Sequence, residues 1–295
     1  TVIEIGSSKL SCMIAERGVN NTFNVKAKAS VDYAGFLEGD FIEKAYLDDA
    51  VMTLFSQITS IYKKKIKKVY VGVPAEFSKV TTSTCQLNFK NRHTISQKDI
   101  DTIFAKVSEQ RYVEDMDIIS VNPISYTLDE TKNIQNPLKQ KCYFISADLS
   151  LVLAQASFIK LFNKIWSKLG IEQVEYLSEP LAEGIFILEE EEIERTCIII
   201  DVGARSTSVA FIKGNAMTNL TSFSMGGSYI TSDLTEACGI GYQEARNLKK
   251  QIVLSLKGDK EDTYELSTLG GKILKLPLNF VNEAVCYRIG LIAST

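Results

Sequence analysis

Apolar and polar positions along the chain follow two periods, and the switches between them mark out the elements. Two-residue alternation runs through residues 1–35 as a β-meander: an opening strand, a bend at Gly6, a return strand, and a third strand over 23–31. A turn and then a short strand are expected over 36–43. Val51, Leu54, Phe55, Ile58 and Ile61 recur at three- and four-residue intervals, which predicts a helix opened by Asp48 and running to about Tyr62. Alternation returns in Val69-Tyr70-Val71-Gly72-Val73 and stops at Pro74.

Residues 76–156 have a different texture and read as a small α+β insertion. A Thr- and Ser-rich strand region leads to Ser96, an N-cap for a helix reaching about Tyr112. A strand pair broken near Asn122-Pro123 is expected over 118–128, then a polar loop over 129–140 and a strand over 142–147. An amphipathic helix over 158–168 carries Trp166, read as a core residue, and ends at Gly170. A strand over 171–177 runs into Pro180, which suits the first turn of a helix. The acidic run 189–192 reads as a solvated turn. After a strand over 218–223, helices are expected over 229–238, over 242–252 with Glu244, Arg246 and Lys249, and over 278–292, with Gly270-Gly271 as a hairpin turn between.

Two of these segments match. Val2-Ile3-Glu4-Ile5-Gly6-Ser7-Ser8-Lys9 and Ile199-Ile200-Asp201-Val202-Gly203-Ala204-Arg205-Ser206-Thr207-Ser208 both run strand, acid, apolar residue, Gly, small hydroxyl residues, strand. The β-branched run before Asp201 reads as a buried strand. Each bend alone reads more simply as a hairpin with a polar tip. Together they suggest two related half-domains facing one another across a cleft, where backbone N–H groups and hydroxyls grip a phosphate chain from both sides. The Gly226-Gly227 pair precedes a helix whose first N–H groups are expected to be open to an anion.

At 295 residues the chain has room for two domains and an insertion, and its 45% hydrophobic and 23% charged content is that of a globular protein. A net charge of −3 gives no support to nucleic-acid or polybasic membrane binding. Lys63, Lys64, Lys65, Lys67 and Lys68 lie where a helix C-terminus welcomes cations. No apolar run has the length of a transmembrane helix, and no signal peptide is visible. The chain opens on a strand without Met, so a few preceding residues are expected. Cys12, Cys85, Cys142, Cys197, Cys238 and Cys286 form no CxxC pair, which argues against zinc and for reduced, buried thiols in a cytoplasmic protein. His93, the single histidine, sits in a polar segment read as a turn and is taken as structurally incidental.

In order and spacing these features resemble the actin/Hsp70/sugar-kinase superfamily. Glu4 to Lys9 looks like its first phosphate loop, Asp201 to Ser208 its second, and Glu179-Pro180-Leu181-Ala182-Glu183-Gly184 its first interdomain connection. Within it, three segments resemble the FtsA family of bacterial cell-division proteins: Val121-Asn122-Pro123-Ile124-Ser125-Tyr126, Met225-Gly226-Gly227-Ser228-Tyr229-Ile230, and Glu244-Ala245-Arg246-Asn247-Leu248-Lys249.

The resemblance implies an α/β, actin-like (ribonuclease H-like) two-domain fold with an inserted α+β 1C subdomain. Domain 1A would comprise 1–75 and 157–180, subdomain 1C 76–156, domain 2A 181–250, and a partial domain 2B 251–295. It implies ATP in the interdomain cleft, contacted by Gly6, Ser7, Ser8, Lys9, Glu179, Asp201, Gly203, Ser206, Thr207, Gly226, Gly227 and Arg246, with Glu4 and Asp201 as candidates for Mg. The implied partners are the C-terminal tail of FtsZ, further copies in a head-to-tail filament, and other divisome proteins through the 1C insertion. The place is the inner face of the membrane at the division site, reached through a C-terminal amphipathic helix that has no counterpart in this chain, which is read as C-terminally truncated.

The departures are Glu4 where the family has Asp, Ala204 and Arg205 where it has glycines, and Ser208 where superfamily ATPases place an acid. They leave at most a weak ATPase. A type IV pilus scaffold of the PilM kind and a small-molecule kinase or phosphohydrolase are the alternative functions.

Overall fold

Residues 1–110, 113–189, 192, 195–254, 259, 261–268 and 270–295 are described by the structure, a computed structural model. The expected helix end at Tyr112 and Glu190 and Glu191 of the acidic run lie outside them. The chain divides into two compact units, Thr1–Asp201 with Ser208–Ser222, and Val202–Thr207 with Phe223–Thr295.

In the first unit the opening bend builds the centre of a sheet. Strand β1 (Val2–Ile5) turns back antiparallel into β2 (Lys9–Arg17), which pairs with β3 (Phe23–Asp32). Two two-residue strands, Phe36–Leu37 (β4) and Asp40–Phe41 (β5), pair as the short hairpin that follows. On its other edge β1 takes β6 (Lys68–Val73) in parallel, and β6 takes β11 (Gln173–Ser178). Helices α1 (Lys44–Tyr62) and α3 (Ala156–Lys168) cover the sheet, packing Leu47, Val51, Leu54, Ile58, Phe158, Phe162 and Trp166 onto Ile3, Ile5, Leu10, Val69 and Val71. Trp166 is thus a core residue, as expected.

Helix α1 begins at Lys44, a turn before Asp48, because Leu47 is completely buried and packing overrides the capping preference. Ile61, expected on the buried stripe, is 53% exposed. The helix ends at Lys63 in the left-handed region, and Lys64, Lys65, Lys67 and Lys68 form ion pairs with Glu16, Glu172 and Glu175.

The insertion is a four-stranded sheet of order β7-β10-β8-β9, with β7 at Ser78–Thr94, β8 at Met116–Leu128, β9 at Thr131–Ile134 and β10 at Lys141–Gln155. Helix α2 (Gln97–Ser108) packs Ile100, Ile103 and Val107 against Cys142, Ile145, Ala147 and Leu149. The expected strand pair is one strand: Asn122-Pro123 sits beside a bulge, where Asp148 opposes Ser125 and Leu149 opposes Pro123. The expected polar loop carries β9, and the strand expected to end at Ala147 runs on to Gln155.

His93 lies in β7, not in a turn. Its ring stacks on Phe89, and its Nε2 is 2.9 Å from Asp99 Oδ2, which also accepts from Ser96 N and Oγ. The histidine therefore supports the capping box that opens α2.

Strands β12 (Thr196–Val202), β13 (Thr207–Lys213) and β14 (Ala216–Phe223) follow α4 (Glu179–Ile187). Ala210, Ile212 and Met217 pack with Leu181 of α4 and Val152 of the insertion, and Ser150 Oγ donates to the Met217 carbonyl. The run before Asp201 is not a fully buried strand: Ile198 and Ile200 are 54% and 63% exposed, while Ile199 faces the core. Strand β12 is first in the order β12-β13-β14 and has one covered face.

The second unit holds α5 (Gly227–Cys238), α6 (Tyr242–Lys249), the hairpin β15 (Thr263–Ser267) and β16 (Ile273–Pro277), and α7 (Leu278–Ser294). Leu234, Ala245, Leu248, Leu266, Val281 and Val285 form its core. Helix α5 starts at Gly227, two residues before the expected position, and α6 stops at Lys249 rather than Ile252. Gly271, at φ 75°, makes the expected hairpin turn. Cys12 and Cys142 are buried as expected, whereas Cys286 is exposed on α7.

Candidate functional site

The two matching bends form the same turn. Gly6 N donates to Lys9 O at 3.0 Å, and Gly203 N donates to Ser206 O at 2.9 Å. In each, the amide of a glycine two residues after the acid closes onto the carbonyl three residues on. A Cβ at Gly6 would lie 2.9 Å from Lys9 O, and one at Gly203 would lie 3.1 Å from Ser206 O. Close backbone approach therefore accounts for both glycines.

In the first unit, Tyr33 also holds the loop: its hydroxyl donates to Gly6 O at 2.8 Å and its amide to Ser8 O at 3.0 Å. The carbonyls of Gly6, Ser8 and Lys9 are thereby tied into the protein. Glu179 opens α4 directly beside the bend, where its Oε1 accepts from Ile5 N at 3.1 Å. Gly72 makes room for it, since a Cβ there would lie 2.2 Å from Glu179 Oε1.

Glu179 keeps some accessible surface, but protein atoms ring its carboxyl. Burial pushes it up to about 8, against the Ile5 bond and with help from Glu4, Glu183 and Glu76. Glu183 is raised by burial, then by Asp201 and Glu4, and Asp201 by burial and Glu4. The native state thus holds protons that the unfolded chain releases. Stability from Glu179 is complete below the unfolded carboxyl range and is lost as pH rises through about 8. We expect the free energy of unfolding to fall by a few kcal/mol, in order of magnitude, between about pH 5 and 8. Glu179→Gln should flatten that slope; an unchanged slope in the variant would remove Glu179 as its source.

Among the described residues no group of three or more His, Cys, Asp or Glu has metal-holding geometry. The Glu4 charge reaches Asp201 and raises its carboxyl, so a cation held here would meet two carboxylates and would need its remaining oxygens from other groups.

In the second unit the Gly203–Thr207 loop is clasped at both ends. Gly227 N donates to Gly203 O at 2.8 Å and Ser228 N to Ala204 O at 2.7 Å, with Ser228 Oγ on the same carbonyl. Thr207 Oγ1 donates to Met225 O at 2.7 Å. The first amides of α5, expected to be open to an anion, are therefore engaged by loop carbonyls. Gly226 is present because a Cβ would lie 2.5 Å from Gly203 O.

Arg246 is exposed on α6, and one turn on, Lys249 Nζ donates to Gly227 O at 2.6 Å. Burial, then Arg246 and Lys250, lower the Lys249 ammonium below its ordinary range. Lys249 was missing from the sequence-based set; its i,i+3 spacing from Arg246 was the available signal. Also in this unit, a cavity of about 320 Å³ between α5 and α7 is lined by Asp233, Phe280, Glu283, Tyr287 and Arg288, among others.

Of the sequence-based candidates, Glu4, Gly6, Ser7, Ser8, Lys9, Glu179 and Asp201 thus belong to the first unit. Gly203, Ser206, Thr207, Gly226, Gly227 and Arg246 belong to the second. No helix among the described residues is long and apolar enough to cross a membrane.

Residues 198–274 match the family profile described as cell division protein FtsA, and residues 78–153 match the SHS2 domain inserted in FtsA. The cell division protein FtsA of Bacillus subtilis is 20% identical over 272 residues, covering 91% of this chain and 61% of the relative. The chain therefore spans about three fifths of the length of that relative. Among solved structures, the PilM–PilN type IV pilus biogenesis complex aligns at a TM-score of 0.60 and 15% identity, over 99% of this chain and 73% of the other. MreB5 of Spiroplasma citri bound to AMPPNP aligns at 0.52 and 12% identity, over 99% and 76%. These likenesses show an actin-like fold, and the insertion is the SHS2 domain.

Proposed function

We propose a function on one premise: the chain belongs to the FtsA family of actin-like bacterial cell-division proteins. It binds ATP through its two acid-glycine loops. The observation that carries this reading is the repeated turn, Gly6 N to Lys9 O and Gly203 N to Ser206 O, each with a carboxylate two residues ahead. The AMPPNP in the structurally similar MreB5 supports it.

Gly6, Ser7, Ser8 and Lys9 take phosphate oxygens from one loop, and Gly203, Ser206 and Thr207 from the other. Gly226 and Gly227 contact the far side of the nucleotide, with Arg246 as a further contact. Mg²⁺, when bound at Glu4 and Asp201, neutralises phosphate charge. Glu179 orients water; with Glu4 in place of Asp and Ser208 in place of an acid, turnover is slow at most.

In the cell this protein tethers FtsZ filaments to the membrane, assembles head to tail with its own copies, and meets other divisome proteins through the insertion. The FtsZ tail docks on the last subdomain, of which residues 251–295 form a part. Domain limits follow the family: 1A at 1–75 and 157–180, 1C at 76–156, 2A at 181–250 and 2B from 251.

Isothermal titration of the whole protein with Mg-ATP is expected to show saturable binding that Asp201→Ala abolishes with little change in unfolding. A flat wild-type titration removes the nucleotide from the reading. Pull-down with an FtsZ C-terminal peptide tests the tether, and its failure would return the pilus-scaffold alternative.

A further inference from the structure

Arg288 on α7 makes contacts that local packing does not require. Its Nε and Nη2 bond both carboxylate oxygens of Asp233 on α5, at 2.6 and 2.7 Å. Its guanidinium lies 5.6 Å from the ring centroid of Tyr229, in the first turn of α5. Its Nη1 reaches Met225 Sδ at 4.0 Å. A single planar group therefore touches three residues along the segment that leads into and through α5.

That segment is the clasp on the second loop. The Met225 carbonyl receives the Thr207 hydroxyl, at the loop's end, while the next turn presents Gly227 N and Ser228 N to Gly203 and Ala204, at its start. Apolar packing of Leu234 against Val281 and Val285 holds α5 to α7 but is non-directional and leaves rotation and sliding along the contact weakly determined. The two-pronged bond to Asp233 fixes both. The pair is only about a fifth exposed, so water competes little for it.

We propose that Arg288 is a positioning residue for the second phosphate loop: through Asp233 and Met225 it sets the placement of α5 that holds the Gly203–Thr207 turn. This rests on the reading of that loop as a phosphate binder.

The test compares the whole protein with Arg288→Gln and Arg288→Lys. Lysine keeps the charge and most of the stem but cannot bond both carboxylate oxygens and reach Met225 together. Two readouts are taken: the amide resonances of Gly203, Ala204 and Ser206 without ligand, and the affinity for Mg-ATP. The loop resonances should move in both variants, and Arg288→Gln should weaken Mg-ATP binding about tenfold, with the lysine variant between. A role in packing alone would lower the unfolding temperature and leave the resonances in place. Wild-type resonances in both variants would overturn the proposal, and if the glutamine variant does not fold, the lysine variant decides. Should wild-type protein ignore Mg-ATP while the ligand-free variants still displace the loop, the nucleotide reading falls and the positioning role stands.

Discussion

Gly226→Ala is expected to weaken Mg-ATP binding by more than about a hundredfold, or roughly 3 kcal/mol. Gly226 has φ −162°, extended backbone that alanine adopts without strain, so the effect is one of contact. The added Cβ would lie 2.5 Å from Gly203 O and 2.9 Å from both Ala204 C and Ala204 O. All three are backbone atoms, and no side-chain rotation relieves them. Helix α5 must back away, stretching the bonds from Gly227 N to Gly203 O and from Ser228 N to Ala204 O. Each contributes about 1 kcal/mol net, and the loop they hold is the one assigned to phosphate. Titration calorimetry beside a thermal melt checks this. Wild-type affinity in a folded variant would show that the clasp has no bearing on the nucleotide.

The second large effect is expected at Gly72→Ala, on stability. Its Cβ would lie 2.2 Å from Glu179 Oε1 and 2.5 Å from Glu179 Cγ, so the carboxyl has to leave Ile5 N. Losing the acceptor of a partly buried amide costs about 1–3 kcal/mol. Glu179→Gln, by contrast, keeps an acceptor for Ile5 and loses only the titration. The alanine variant should therefore melt lower at every pH from 5 to 8, while the glutamine variant should change the slope. Parallel melts across that range separate the two. Equal curves for Gly72→Ala and wild type would mean that Glu179 does not hold the bend.

Much of this was legible in the chain itself. The strand-acid-Gly-hydroxyl pattern occurs twice in the sequence, and it becomes one turn built twice. The helices over 97–108 and 156–168 were visible because their apolar stripes and end signals, Ser96 and Gly170, are local. The elements misread are those whose limits depend on distant partners. Helix α1 gained a turn because Leu47 is buried, and β10 ran eight residues beyond Ala147 because β7 and β8 flank it to the end. Ile198 and Ile200 look buried in sequence, yet β12 has only one covered face.

The sequence by itself pointed to the actin-like class, the resemblance to FtsA, the place of the insertion and the two bends, because each rests on residue type at short, fixed spacing. Only the tertiary structure decided that Tyr33 and Glu179 hold the first bend, that the amides of Gly227 and Ser228 close onto the second loop, and that Arg288 reaches their helix. Those contacts join residues far apart in the chain. Hydrogen-bond geometry over such separations is set by packing, which no local pattern encodes.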